Sequence, residues 1–228
     1  LAVWKAAGET PTFWWRDDDT EAPTEALDRL IGLAELHETP LHLAVVPAQI
    51  DPDLADRLKS APLVFAMQHG FSHSNHEAIG TGASEVGVTR DIALQAADLR
   101  EGWARIQTAK LPRMLRVFVP PWNRIADKTL PLLAELGYVA VSSFYCAPVE
   151  TPVKGLRHIN GHIDPIRWKE GAKFAGTQKA LEQCVVHLRQ RRSGETARNE
   201  ATGFVTHHLQ TDEATWDFMS AFMARVTH

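Results

Sequence analysis

The 228-residue sequence predicts a single α/β domain whose parallel sheet closes in the manner of a barrel, and two observations carry that expectation. The first is an alternation of strand-like runs with segments of helical periodicity, repeated about seven times, which is the pattern of a parallel sheet covered by helices. The second is that four runs end in residues with chemistry: Asp17-Asp18-Asp19, His69, Pro120-Pro121-Trp122 and His207-His208. In a closed barrel the C-terminal ends of parallel strands share one face, so residues about 190 apart in sequence can meet there. An open sheet would separate its outermost strands.

The elements follow in order. Residues 12–16, TFWWR, read as a strand running into the aspartate triplet, and 24–38 carry Ala26, Leu27, Leu30, Ile31, Ala34 and Leu36 at helical spacing. Residues 41–47 form a second strand ended by Pro47. Asp51-Pro52 is an N-cap with proline at the first position of a short helix to about Ser60. The run LVFAM, 63–67, is a third strand that delivers His69 to its C-terminal end. Glycines punctuate 79–87, which reads as a long irregular connection. From a cap at Thr89, Ile92, Ala96, Leu99, Trp103 and Ile106 follow at steps of four and three, with Trp103 expected in the core. Strands at 115–119 and 138–144 flank a helix at 130–136 that Gly137 stops. Residues 145–176 read as loop with one short strand at 157–160. A helix over 177–192 is expected to bury Leu181, Cys184, Val185 and Leu188. A last strand at 203–208 precedes a helix with Trp216, Met219, Phe222, Met223 and Val226 inward.

Composition removes several classes of function. With 28 acidic and 24 basic residues the net charge is −4, and no basic run exceeds the local Gln190-Arg191-Arg192, so no nucleic-acid partner is expected. Cys146 and Cys184 are too few and too far apart for a disulfide scaffold or a thiolate zinc site. No apolar run approaches membrane-spanning length and no leader is visible, which predicts a cytoplasmic protein without a membrane span. The chain starts at Leu1 rather than Met, so a removed leader stays open as the alternative.

The densest chemistry is at 68–76, QHGFSHSNH, where three histidines fall within eight residues. His69 and His73 stand four apart, so one turn of helix or a helical loop would aim both imidazoles at one point. With Asp18 they make a two-nitrogen, one-carboxylate set that leaves coordination positions open, as expected of a catalytic divalent metal, with zinc the first choice. Such a metal activates water and stabilises an oxyanion, and the reaction then needs a base and an acid, for which Asp17 and His207 are the candidates.

The order of these motifs resembles the polysaccharide deacetylase family, the NodB-homology or chitooligosaccharide deacetylase-like group. An Asp-Asp pair after the first strand, base then metal ligand, is similar to Asp17-Asp18. The family's two histidines four apart resemble His69 and His73, with Gly70 where a hydroxyl residue is usual. Its Arg-Pro-Pro-Tyr-Gly groove wall resembles Val119-Pro120-Pro121-Trp122-Asn123, its Asp-Trp element Asp164 and Trp168, and its late Leu-x-His Val205-Thr206-His207. The resemblance spans 13–208. It implies a distorted (β/α)7 barrel and a metal-dependent hydrolase acting on carbon–nitrogen bonds other than peptide bonds. The implied reaction removes an acyl group, acetyl first, from an N-acylated amino sugar. It also implies zinc held by Asp18, His69 and His73, Asp17 and His207 as base and acid, and Pro121, Trp122, Asp164, Trp168 and His208 about the carbohydrate.

Departures open alternatives. Val119 stands where the family arginine steadies the base, so that role falls to Arg16, Arg116 or Arg124, or else the protein is an inactive, metal-bearing carbohydrate-binding module. The triplet also permits Asp18-Asp19 as the base–ligand pair, because adjacent strand residues point to opposite faces unless the strand ends there. His76 can replace His73, and His208 can replace His207. His158 and His162 are assigned outside the ligand set.

Overall fold

The computed structural model describes residues 1–148 and 152–226. Its main strands are β1 (Phe13–Thr20), β2 (Leu41–Val45), β3 (Val64–His69), β4 (Met114–Val119), β5 (Ala140–Val141), β6 (Arg157–His158) and, last in sequence, β9 (Thr202–Thr206). They form one sheet in the order β6-β5-β4-β3-β2-β1-β9, and every pairing in it is parallel. The seam between the edge strands is narrow. Ile159 and Gly161 donate their backbone N–H groups to Val141 and Ser143, and beyond them His162 and Ile163 both donate to Gly203, while Val205 donates to Ile163. Isolated bridges thus complete the barrel where a regular strand would otherwise stand, which is the distortion of the (β/α)7 plan.

The helices form where the sequence buries one face. In α2 (Glu25–Leu36) Thr24 caps the Leu27 N–H, and Leu27, Leu30, Ile31 and Ala34 lie in the core. A short helix α1 (Ala2–Ala6), not anticipated, docks by Trp4. In α3 (Leu54–Lys59) the N-cap is Asp53; Asp51, two residues earlier, accepts from the Asp53 N–H. In α4 (Ile92–Ala109) the cap is Asp91 rather than Thr89, whose hydroxyl is taken by Glu77. Trp103 is half-buried at the edge of α4, under the Arg116 guanidinium at 3.8 Å, so it shields a cation and does not fill the core. Helix α5 (Thr129–Glu135) closes the next crossover.

Two expectations are corrected by burial. In α6 (Thr177–Ser193) the inward stripe is Ala180, Cys184, His187, Leu188 and Arg191, whereas Leu181 and Val185 are exposed. Polar residues hold that stripe, so hydrophobic periodicity rotated the helix. In the final helix α7 (Glu213–Val226) Trp216, Met219, Phe222 and Met223 are buried, as expected, but Val226 is at the margin. The segment 145–176 contains a small antiparallel pair, β7 (Ile166–Arg167) with β8 (Lys173–Phe174), in addition to β6; residues 149–151 lie outside the described residues. No helix among the described residues is long and apolar enough to cross a membrane.

Candidate active site

Strand β1 runs to Thr20, four residues past the expected end, so the aspartate triplet is inside the sheet and its side chains are sorted by strand geometry. Arg16 and Asp18, two apart, share the face toward the barrel mouth. Asp17 faces the other way. The alternation then breaks: pairing with β2 shifts register between Asp17 and Thr20, and Asp19 takes φ 67°. That left-handed residue turns the Asp19 carboxylate back to the side of Asp18, so both line one pocket.

Arg16 is fully buried and grips Asp18 with two nitrogens, Nε to Oδ1 at 2.8 Å and Nη2 to Oδ2 at 3.0 Å. Its remaining donors reach Asn123 Oδ1 at 2.5 Å, the Ser142 hydroxyl at 2.6 Å and the Ser142 and Ser143 carbonyls. A buried guanidinium with both Nη groups hydrogen-bonded and Nε in the ion pair is a rigid mount for the carboxylate. Arg116 and Arg124, the other candidates, bond backbone carbonyls of Leu136 and Ala83.

Asp19 is the carboxylate that meets the two histidines, with Oδ1 at 3.1 Å from His69 Nε2 and 3.3 Å from His73 Nε2. Asp19, His69 and His73 have their ligand atoms within 4.8 Å of one another and could hold a metal ion. The tautomer fits this role. His69 Nδ1 lies 3.0 Å from the Val119 carbonyl, which can only accept, so Nδ1 carries a proton and Nε2 faces the centre; there, against burial, Asp19 accepts the Nε2 proton and with Asp18 raises the His69 pKa, and a metal would take the place of that proton. Burial alone would raise the Asp19 pKa; the hydrogen bond and charge of His69, with His207 and His73 behind it, carry it well below the ordinary carboxylate range. Burial and the adjacent His69 hold His73 below the ordinary imidazole value, which favours its neutral, ligating form. His76 is exposed and does not line the pocket, so His73 is the second histidine of the group.

The pocket is a cavity of about 530 Å³, and the rest of its lining comes from distant elements. Trp122, in the left-handed region at φ 55°, lays its ring 4.3 Å from that of His73. Pro121 is buried behind it and does not line the pocket. His207 follows β9 and brings Nε2 to 3.8 Å from Asp18 Oδ2. Trp168 packs edge-on to the His207 ring at 4.6 Å and is itself fixed by donating to Asp164 Oδ2 at 2.8 Å. Burial pushes the Asp164 carboxyl up, against the charge of His207 and the bond from Trp168. Asn123 and Arg124, both singled out by sequence, also line the pocket, as do Phe144, Tyr145, Ile166 and Gln183, for which sequence offers no role. Gln183, half-buried on α6, accepts from the Asp164 backbone N–H at 3.0 Å, where sequence offers no signal.

Besides Pro121, two expected site residues lie elsewhere. Asp17, expected as base, is fully buried on the opposite side of β1 and accepts from the Thr206 hydroxyl at 2.6 Å, the His208 N–H at 3.0 Å and His208 Nδ1 at 2.5 Å. His208, expected at the substrate, is buried with it, and Asp17 and the hydrogen bond between them raise its pKa against the effect of burial. This pair ties β1 to the end of β9 across 191 residues. Of the triplet, Asp18 and Asp19 line the pocket, the pair left open as the alternative to Asp17-Asp18.

A second group, His162, His187 and Glu200, also has metal-like spacing, but its bonds account for it without an ion. The Gly203 N–H donates to His162 Nδ1 at 2.9 Å, so the proton of neutral His162 is on Nε2 and is given to Glu200 at 3.1 Å. No lone pair is left there for a metal. Glu200 also accepts from the Ala147 N–H and the Thr196 hydroxyl, with His187 Nε2 at 3.4 Å, and it sits at a pKa of about 2 because these donors outweigh burial. The group is a buried clamp joining α6, the strand-closing segment and the approach to β9.

Neither a family model nor a curated protein matches the sequence. Solved structures do match by shape. A Mycobacterium smegmatis protein assigned to the polysaccharide deacetylases superposes with TM-score 0.65 at 17% identity, covering 96% of this chain and 87% of that one. A family 4 carbohydrate esterase from Streptomyces lividans, solved with acetate, gives 0.59 at 13% identity over 95% and 90%. A Bacillus anthracis protein described as a pseudoenzyme of the same family gives 0.61 at 13% identity, covering 95% of this chain and 60% of that one. Superposition over nearly the whole chain identifies the fold: the chain has the polysaccharide deacetylase fold.

Proposed function

We propose that the protein is a metal-dependent hydrolase that removes an acyl group, acetyl first, from an N-acylated amino sugar. The observation that supports this most strongly is the pairing in one pocket of an Asp19-His69-His73 donor group with an arginine-mounted Asp18 that faces His207. Bound there, a divalent metal, zinc by the nitrogen-rich donors, would polarise the substrate carbonyl and ease deprotonation of water. Asp18 takes the water proton as general base, held in place by Arg16 from its own strand, which does the work the resemblance gives to an arginine at position 119. His207 gives a proton to the leaving nitrogen as the carbon–nitrogen bond breaks, so water and amide become carboxylate and amine. Trp168, steadied by Asp164, keeps the His207 ring turned to the pocket, and the exposed faces of Trp122 and Trp168 offer apolar surface to a sugar ring.

The second reading is a carbohydrate-binding protein of this fold without turnover. Val119 favours it, and the Arg16 mount weighs against it. Acetate release from N-acetylated chitooligosaccharides, measured beside glycan binding with zinc supplied, separates the two: a wild type that binds these glycans and frees no acetate contradicts the hydrolase.

The acid role has its own signature. His207→Ala is expected to lower turnover on the order of 10²- to 10⁴-fold for amides, whose nitrogen must be protonated to leave, and far less for activated aryl esters. Metal content stays unchanged. If His208→Ala shows this pattern while His207→Ala behaves as wild type, the acid is wrongly assigned.

A further inference from the structure

The two histidines of the donor group are anchored unequally. His69 ends β3 and is fixed twice, by the strand and by its Nδ1 bond to the Val119 carbonyl at 3.0 Å. His73 lies in irregular loop at φ 55°, and among the described residues its ring pairs with Asp19 and packs on the rings of His69 and Trp122. Its position therefore depends on the backbone just before it. That backbone is held by a residue of the next loop turn: the Glu85 carboxylate accepts from the Phe71 N–H at 2.9 Å, the Ser72 N–H at 2.8 Å and the Ser72 hydroxyl at 3.1 Å. Glu85 is 1% exposed, and no cation pairs with it among the described residues.

The surroundings are shaped to admit this carboxylate. A Cβ on Gly70 would sit 1.9 Å from Glu85 Oε2 and 2.5 Å from the Pro121 ring, and Gly70 itself needs φ 56°. Only glycine gives both the left-handed turn and the room. The segment carrying Glu85 is pinned in turn, with the His76 N–H donating to the Ser84 carbonyl, the Ser84 hydroxyl to the Arg124 carbonyl, and Val86 bridging Ile125.

We infer that Glu85 is a positioning residue for the metal: it presets the loop so that His73 meets the ion, and it acts through His73 alone. The inference rests on the metal-dependent reading above, and it explains how position 70 dispenses with the hydroxyl that is usual there. A carboxylate satisfied by backbone donors of a ligand loop does the work of an outer-shell partner, whose loss typically weakens metal binding about 10- to 100-fold.

The test is zinc affinity by competition with a chromophoric chelator, on wild type, Glu85→Gln, His73→Ala and the double variant, with apo-protein melting curves to confirm folding. Glu85→Gln should bind zinc about 10- to 100-fold more weakly. In the His73→Ala background the same change should add nothing, since the ligand it positions is gone. Equal weakening in both backgrounds would mean general packing and overturn the inference, as would wild-type affinity in Glu85→Gln. Should Glu85→Gln fail to fold, Ser72→Ala, which removes one of the three donors, should weaken zinc binding several-fold, and unchanged affinity there overturns it equally. A wild type that binds no zinc takes down the metal reading itself, a result distinct from wild type and variants binding alike.

Discussion

Asp18→Asn is expected to keep its zinc and lose turnover by about 10²- to 10⁴-fold, the range for removing a positioned base. The change preserves the side-chain volume and leaves Asp19, His69 and His73 intact, so the metal group survives while the proton acceptor does not. Arg16 is then left buried beside a neutral partner, with Asn123 and the Ser142 and Ser143 oxygens still accepting from it. A loss of thermal stability should accompany the loss of rate, because removing one member of a buried ion pair typically costs about 3–5 kcal/mol and an amide only softens that. Acetate release under saturating zinc, beside metal content on the same samples, checks it. Full turnover in Asp18→Asn with none in Asp17→Asn would return the base to the residue that sequence alone favours.

The largest effect on stability should come from a residue outside the pocket. Glu200→Ala removes the acceptor shared by His162, His187, Thr196 and the Ala147 backbone, all buried. Leaving that many donors unsatisfied is expected to cost about 3–5 kcal/mol, a large share of the 5–15 kcal/mol that ordinarily holds a domain together. Its pH dependence has a definite sign. The folded pKa of about 2 lies below the ordinary value of 4.5, so the clamp's contribution is complete above 4.5 and fades as pH falls toward 2. Urea midpoints of wild type and Glu200→Ala should therefore differ widely at pH 7 and converge as the pH approaches 2. A gap that stays constant over that interval would show that the carboxylate's charge is not what the clamp uses.

Sequence made the plan of the barrel legible because alternation and strand-end chemistry are local signals. Asp17 and His208 do meet across 191 residues, as barrel closure requires, though as a buried tie and not as parts of the pocket. What stayed hidden was set by backbone geometry. Which aspartate faces the histidines depends on β1 continuing to Thr20 and on the left-handed turn at Asp19, and neither follows from the run of aromatics before it. Arg16 was one of three candidates to replace the missing arginine. It is distinguished by sitting two residues from Asp18 on the same strand, which matters only once the strand is known to persist. Glu85 and Gln183 carry no motif at all: one sits in a glycine-rich loop and the other on a helix whose buried stripe is polar, so only their hydrogen bonds reveal them. The inward stripe of α6 was misread for a related reason, since His187 and Arg191 are buried by bonds that hydrophobic periodicity does not register.

The register of the aspartate triplet is the point on which every assigned role turns, and zinc stoichiometry of the three single variants Asp17→Asn, Asp18→Asn and Asp19→Asn measures it most directly. Removing the charge of a ligand weakens the site, whereas removing the charge of its neighbours leaves the donor atoms in place. Asp19→Asn should lose bound zinc on dialysis, while Asp18→Asn and Asp17→Asn, if folded by their melting curves, retain one ion per chain. Retention by Asp19→Asn together with loss in Asp18→Asn would contradict the account and move each role one residue toward the N-terminus.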